Sequence, residues 1–248
     1  MSPRTRHPAF LACLYLLSAP LNADSPAATA TTQDNPGDLQ TQARSNLAAT
    51  EYEVSAQPGA SCAPAGYRGT TIYQAPNRTH NLRSCFTADG VLVVPRIGEA
   101  GWHWGLMLAA YGDDSELHAT TPSAPAVAGN RVEYTRGSVT EWVVNDANGL
   151  EQGFTLHESV TSEPATILRI GIRGDLQPAG QDGAIAFRSA GGVTVINYGQ
   201  LKAWDAAGAV LPATMRLVGS AIELKIATAG ANYPVTIDPV GTRTPGSA

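Results

Sequence analysis

Apolar and polar residues alternate along most of the chain from position 67 onward. In TILRIGIRG, Leu168, Ile170 and Ile172 share one side of an extended chain. Arg169 and Arg173 share the other side. A period of two predicts strands with one side in a core and the other in water. The same alternation in three further segments adds core candidates, namely Val132, Tyr134, Leu201, either Ala203 or Trp204, Ile222, Leu224 and Ile226.

Turn signals punctuate these segments roughly every ten residues. Glycine-containing steps such as ADG, NG, QDG and TAG separate the apolar runs, and no later stretch holds a 3.6-residue period long enough for a long helix. This rhythm predicts an all-β chain. The architecture that fits it is an antiparallel β-sandwich, with two packed subdomains.

Changes in composition predict the domain boundaries. The segment before position 61 is rich in Ala, Thr, Ser, Gln and Asn, which is typical of a flexible leader. TTPSAPAVAGN has two prolines between two strand-rich blocks. The predicted organisation is a signal peptide at 1–23, a flexible leader at 24–60, a first β block with a disulfide at 61–120, a linker or crossing loop at 121–129, a second β block at 130–240 and a flexible tail at 241–248.

The N-terminal segment has the order of a secretory signal peptide. Arg4 and Arg6 precede the apolar run AFLACLYLL, which is followed by small residues ending at Ala23. We therefore expect secretion, to the periplasm or to the extracellular space. A lipid anchor on Cys13 is the alternative, although FLAC is a poor lipoprotein cleavage box. No later run approaches the ~20 apolar residues of a membrane-spanning helix, so no membrane span is predicted.

Composition and charge narrow the partners. The net charge is −5, and there is no basic surplus to neutralise phosphates, so we expect no nucleic-acid partner. The 25 glycines and 17 prolines, against four phenylalanines and three methionines, favour many short segments joined by turns. The expected partner is a cell-surface protein or a glycan.

Two cysteines remain after the signal peptide, Cys62 and Cys85. In an oxidising compartment such a pair predicts a structural disulfide. The pair lacks the C-x-x-C spacing of a redox site, and a metal site needs more soft ligands.

A polar cluster occupies the segment WVVNDANGLEQGFTL. The side-chain oxygens of a calcium site could come from Asn145, Asp146, Asn148 and Glu151, but the D-x-[DN]-x-[DN]-G order of a calcium loop is missing. The favoured interpretation is a hairpin turn in which Asn148 and Gly149 take the positive-φ positions. Gly153 is then a bulge or a close-packing position.

Candidate catalytic residues are weak. Glu141 and Glu151 could form the carboxylate pair of a glycoside hydrolase across this hairpin. The chain has no G-x-S-x-G, and its histidines lack H-x-H or H-x-x-x-H spacing. We therefore expect no catalytic, cofactor-binding or metal-binding residues, and no enzyme.

The tryptophans offer an alternative function. Trp102 and Trp104 lie on one predicted strand face, and Trp142 lies in the segment with the polar cluster. Aromatic side chains of this kind can stack on sugar rings, which would make the chain a carbohydrate-binding module. The more ordinary interpretation is that they pack in the core with Leu106 and Leu108.

Several segments resemble one family. They are NRTHNLRSCFTADGVLVVPR, WHWGLMLAAYG, GNRVEYTRGSVTEWVVNDANGLEQGFTL, LRIGIRGDL, INYGQLKAWDAAGAVLPA and ANYPVTIDPV. The family is the N-terminal domain of bacterial secreted proteins that carry integrin-like FG-GAP or related extracellular repeats. The resemblance covers residues 68–240, and its most specific pieces are NGLEQGFTL and YPVTIDP.

The resemblance implies an all-β, noncatalytic, secreted module with a structural or adhesion-related role. It implies a downstream repeat domain, which this chain lacks because it stops at Ala248. We therefore expect a truncated product or a stand-alone version. The residues of YPVTIDP suggest a final strand with Tyr233, Val235 and Ile237 facing the core, ended by the Asp238-Pro239 step.

Overall fold

The computed structural model describes residues 40–41, 50–57, 72–97 and 101–243. The predicted signal peptide, most of the predicted leader, Cys13 and Cys62 lie outside these ranges. The chain divides into two units, Met1–Thr41 and Gln42–Ala248, and both sheets described below lie in the second. None of the described helical residues forms a segment that is long and apolar enough to cross a membrane.

Seventeen antiparallel strands, numbered in chain order, form two sheets in the described residues. The first sheet contains β1 Ser55–Gln57, β2 Ile72–Asn77, β3 Leu82–Thr87, β4 Gly90–Pro95, β5 Trp104–Gly112, β6 Leu117–Ala119, β11 Ala165–Gly174, β15 Ala213–Val218 and β16 Ala221–Ala227. The second contains β7 Ala126–Ala128, β8 Arg131–Arg136, β9 Val139–Asp146, β10 Gly149–Leu156, β12 Gln177–Gln181, β13 Ala184–Arg188, β14 Thr194–Trp204 and β17 Val235–Arg243.

Strand order brings distant segments together. The first sheet runs β1-β2-β3-β4-β5-β11-β16-β15, with β6 also on β5. The second runs β12-β13-β14-β17-β10-β9-β8-β7. The strands after residue 130 therefore contribute to both sheets. Residues 120–125 carry the chain from the first sheet to the second, and residues 126–128, inside the predicted linker or crossing loop at 121–129, already form β7 of the second sheet.

One core fills the space between the sheets. Leu168 and Ile170 of the first sheet and Val132 and Tyr134 of the second are all 0% exposed, and they belong to the same apolar cluster. Trp104 of the first sheet meets Phe187 of the second edge to face at 5.2 Å between ring centroids. The predicted all-β antiparallel sandwich is confirmed.

Within individual strands, the sequence correctly predicted most of the side chains that face the core. The core candidates on β11 and β16 lie inside, although Ile172 is only partly buried. On β14, Ala203 rather than Trp204 faces the core.

Two further predicted boundaries are wrong. Ser55–Gln57, inside the predicted leader, forms β1 and pairs with β2, and Val54 beside it is buried. A strand of three residues has too few apolar positions to show an alternating pattern, so the sequence does not predict β1. At the other end, β17 continues to Arg243, so the Asp238-Pro239 step does not end the pairing and residues 241–243 are not tail.

A bulge explains why proline is tolerated inside the second sheet. Proline has no N–H to donate to a neighbouring strand, so it is normally confined to edges or bulges. Gly199 pairs with Val240 and Lys202 with Asp238, so two residues of β14 face the single Pro239. One of the two, Gln200, takes the left-handed conformation with φ of 54°.

Candidate functional site

The polar cluster at 145–152 closes a hairpin. The turn residues are Ala147 and Asn148, and the Oδ1 atom of Asp146 accepts the Asn148 N–H at 2.7 Å. Gly149 has φ of 136°, but Asn148 does not have a positive φ, so the predicted pair of positive-φ residues is half right. The Asp146 carboxylate therefore serves the turn itself.

Two buried amides tie this turn to the first sheet. Asn77 donates to the Asn145 Oδ1 atom at 2.9 Å and to the Asp146 carbonyl at 2.8 Å. Asn145 donates to the Tyr52 and Pro76 carbonyls at 3.0 and 2.9 Å. Breaking these hydrogen bonds would leave buried amide groups without partners, which costs free energy. The turn is therefore held against the first sheet.

The two glutamates of the hairpin point to opposite faces of the second sheet. Glu141 is paired with Phe154 and is 0% exposed, and its Oε1 atom accepts the Leu108 N–H from the other sheet at 3.2 Å. Glu151, paired with Val144, lies on the outer face and is partly exposed. Two carboxylates on opposite faces cannot flank one glycosidic bond, so the proposed hydrolase pair is wrong.

Glu141 lies at the centre of a buried polar network. Its Oε2 atom is 2.7 Å from Arg136 Nε, and its Oε1 atom accepts from Gln152 at 2.6 Å. Gln152 in turn accepts the Tyr198 hydroxyl at 2.9 Å. Burial and the charges of Glu141 and Asp238 raise the pKa of Tyr198 well above its ordinary value, so its hydroxyl stays a donor. The network is buried between the two sheets, and its hydrogen bond to the Leu108 N–H links one sheet to the other.

Glu151 instead lies near Asp238 on the outer face. Glu151 pairs with Val240 and Phe154 with Ile237, so the two carboxyls are diagonal neighbours on β10 and β17. Burial raises the pKa of both, and the Asp238 charge raises that of Glu151 further. Lys202, opposite Asp238 on β14, opposes the increase at Asp238. In the described residues no group of three or more His, Cys, Asp or Glu side chains is placed to hold a metal ion.

The three tryptophans named for sugar stacking are packed. Trp104 is 3% exposed, against Phe187. Trp142 is 6% exposed and lies between the Arg131 guanidinium, 4.5 Å from the ring centroid, and Gly153. A methyl group at Gly153 would lie 2.0 Å from the ring, which confirms Gly153 as a close-packing position. Neither ring offers an open face to a sugar.

Trp102 borders a shallow pocket at one end of the sandwich. It is 8% exposed, and the pocket volume is about 350 Å³. Asp175, another lining residue, accepts the His103 N–H at 3.0 Å and lies 3.0 Å from His103 Nδ1. The remaining lining is mostly glycine, alanine and leucine.

A row of hydroxyls crosses the outer face of the second sheet. Thr135 pairs with Thr140, Thr140 with Thr155, and Thr155 with Thr236. The row continues through Trp204, which pairs with Thr236, to Val210, which bridges to Trp204. Directly opposed residues of antiparallel strands point to the same side. We call these six residues, Thr135, Thr140, Thr155, Thr236, Trp204 and Val210, the hydroxyl row.

The hydroxyl row points to solvent. The strand neighbours of its threonines, such as Phe154, Val235 and Ile237, are 0% exposed and face the core. Thr135 is exposed, and Thr140, Thr155, Thr236 and Trp204 are partly exposed. Val210 is 82% exposed. Within the described part of the chain, Thr140 is the row threonine whose hydroxyl bonds another side chain, His157 Nε2 at 2.8 Å.

A buried carboxylate, Asp205, orders the loop that carries Val210 at the end of the row. Asp205, 4% exposed, accepts the N–H groups of Ala207 and Ala209 through Oδ1, each at 2.9 Å. Its Oδ2 atom accepts the N–H and the side-chain amide of Asn232 at 3.0 Å. These hydrogen bonds lower the pKa of Asp205. The loop that presents Val210 beside Trp204 is therefore ordered by one side chain.

Neither Trp204 nor Arg136 was predicted as a residue of a functional site. Trp204 was considered for the core, whereas the alternation that places Ala203 inside also places Trp204 outside. The threonines each stand between two inward-facing residues, but their alignment depends on pairing between strands distant in sequence. Cys85 is disulfide-bonded, and its predicted partner Cys62 lies outside the described residues.

Comparison of the chain with protein-family models, with curated proteins and with solved structures found no match.

Proposed function

We propose that this chain is a secreted, noncatalytic β-sandwich module with an adhesion-related role, similar to the head domain that precedes extracellular FG-GAP or related repeats. The observation that carries the adhesive role is the hydroxyl row. It is a continuous outward line of six residues across five paired strands and the adjoining loop, ending in a partly exposed tryptophan and an exposed valine.

The structural part of the proposal is supported by how the acidic and amide residues are used. Glu141, Gln152, Asn77 and Asn145 are buried and hydrogen-bonded between or beside the sheets. Export is supported by the order of residues 1–23 and by the disulfide at Cys85.

The adhesive role is tested with the full chain immobilised on beads. We expect the beads to attach to cells of the source bacterium or to the surface that it colonises. A lysine in the middle of the row, Thr155→Lys, should abolish attachment, because it places a hydrated charge on the contact line. Thr214→Lys on the outer face of the first sheet is the matched control, since Thr214 is also an exposed strand residue. Attachment that survives Thr155→Lys contradicts the proposal.

Two further measurements test the remaining parts. Cell fractionation of a C-terminally tagged chain should find it outside the cytoplasm without residues 1–23. Incubation with polysaccharides should release no new reducing ends; release abolished by one acidic substitution would show an enzyme.

A further inference from the structure

The geometry of the hydroxyl row points to one class of partner. We propose that the row binds an extended, uncharged polysaccharide chain that lies across the strands. This inference rests on the proposed adhesive function and names the ligand of the same surface.

Spacing is the first support. Neighbouring strands lie ~4.8 Å apart, so the row presents one side chain about every 4.8 Å over about 24 Å. An extended chain of β-linked pyranose rings repeats at a similar distance. A threonine hydroxyl carries one donor and two acceptor lone pairs, which match sugar hydroxyls that also donate and accept. The Thr140 hydroxyl uses part of this capacity on His157.

The apolar end of the row is the second support. A pyranose ring has an apolar C–H face, and aromatic side chains that are apolar at one end and polar at the other suit such mixed surfaces. Trp204 is the tryptophan on this face that has a partly exposed ring, and Val210 extends its apolar surface. The Asp205 hydrogen bonds fix the loop beforehand, so little ordering is needed on binding.

Charge selects among polysaccharides. The hydroxyl row contains no ionisable side chain. On the same face, two positions from the row on β8, β17 and β14, lie Glu133, Asp238 and Lys202. Glu133 forms an ion pair with Arg131 at 2.7 Å, and Glu151 of β10 lies near Asp238. The whole chain carries a net charge of −5. Acidic polysaccharides would be repelled, whereas neutral ones would not.

The test is affinity electrophoresis and co-sedimentation of the full chain with neutral polysaccharides, namely cellulose, xylan and β-glucan, and with acidic alginate and pectate. We expect retardation or sedimentation with at least one neutral polysaccharide and none with the acidic ones. Trp204→Ala should weaken binding by about tenfold or more, the effect of losing one good contact of ~1.4 kcal/mol. Trp204→Phe, which keeps an aromatic face, should retain most of it.

The hydroxyls are tested by isosteric replacement. The double variant Thr155→Val with Thr236→Val keeps shape and strand preference but removes two central hydroxyls, and it should weaken binding several-fold. Thr214→Val on the first sheet is the matched control and should bind as the parent does. Thermal unfolding of every variant checks that it is folded.

The outcomes separate this inference from the proposed function. Attachment of beads that depends on Thr155, without binding to any neutral polysaccharide, would overturn the polysaccharide inference and leave the adhesive role standing, with a protein as partner. Binding to the acidic polysaccharides alone, or neutral binding unaffected by Trp204→Ala and by the valine pair, would also overturn it. Loss of both bead attachment and polysaccharide binding in the parent would remove both proposals.

Discussion

The inner and outer faces of the β9–β10 hairpin use the same residue types for opposite purposes. On the inner face, Glu141 is enclosed with Arg136, Gln152 and Tyr198, and each of these four side chains makes at least one hydrogen bond within the group. On the outer face, Glu151 shares a partly exposed patch with Asp238, next to the hydroxyl row. The difference follows from position within the strand, because successive side chains point to opposite faces. A carboxylate on the inner face is part of the architecture, whereas the outer face is available to a partner.

The largest effect should come from breaking the inner network. Glu141→Gln leaves the Arg136 guanidinium buried without its counter-charge, and loss of one partner of a buried pair costs about 3–5 kcal/mol. We expect this decrease in the free energy of unfolding, measured by urea denaturation. The double variant Arg136→Met with Glu141→Leu should recover much of the loss, since it removes both charges. A double variant as unstable as the sum of the singles would show that the pair is not coupled.

Overpacking between Trp142 and Gly153 should have the next largest effect on stability. Gly153→Ala places a methyl group 2.0 Å from the indole, so the ring must move. We expect a loss of about 1–3 kcal/mol, seen as a lower Tm. Gly180→Ala, where an added Cβ meets nothing within 4 Å, is the control and should stay within about 0.5 kcal/mol of the parent. Equal Tm values for the two variants would mean that the ring is not held where we place it.

The outer carboxyl pair should give a smaller, pH-dependent effect. Burial raises the folded-state pKa of Glu151 and Asp238, so their contribution is fully present below the ordinary carboxyl pKa and is lost as pH rises through the raised values. Groups with lowered pKa, such as Asp205, give the opposite slope. The quantity to measure is therefore the difference in urea midpoint between the parent and Glu151→Gln.

At low pH, near the ordinary carboxyl value of ~4, the parent and Glu151→Gln should match. As pH rises to neutrality, the parent should lose stability relative to the variant, by less than about 1 kcal/mol because the pair is partly screened by solvent. Asp238→Asn should behave in the same way. A difference that does not change with pH would show that the two carboxyls do not share a site.

The smallest effect should come from the hydroxyl row. Thr155→Val exchanges one β-branched side chain for another on a partly exposed face, so the free energy of unfolding should change by less than about 0.5 kcal/mol. A loss above ~1 kcal/mol in thermal unfolding would mean that the hydroxyl serves the fold, and the contrast between the two faces would weaken.

The alternation of apolar and polar residues, together with the turn residues, was sufficient to predict much of the fold. The inward positions of β11, β16 and β8 follow from a period of two, and Gly153 stands out as a close-packing glycine. The placement of Glu141 and Glu151 on opposite faces of the sheet could also have been predicted from the sequence. In a hairpin with a two-residue turn, two odd-numbered residues on opposite strands always face opposite sides, so parity alone excludes the hydrolase pair.

Contacts between segments far apart in sequence were not predictable. Glu141 accepts a hydrogen bond from Leu108 of β5, and Tyr198 of β14 joins the network through Gln152. The hydroxyl row needs the registers of five strands at once. Pro239 was misjudged because the rule for proline in sheets depends on the neighbour, and the bulge that accommodates it lies on β14.

Strand β17 is last of the described strands in chain order, yet it lies between β14 and β10. Until it is inserted, the second sheet consists of two separate pieces, each made from neighbours along the chain. Since a ribosome releases the N-terminal pieces first, the sandwich stays open until residue 243 has emerged. Completion of the second sheet therefore depends on the strand that is synthesised after all the others described here.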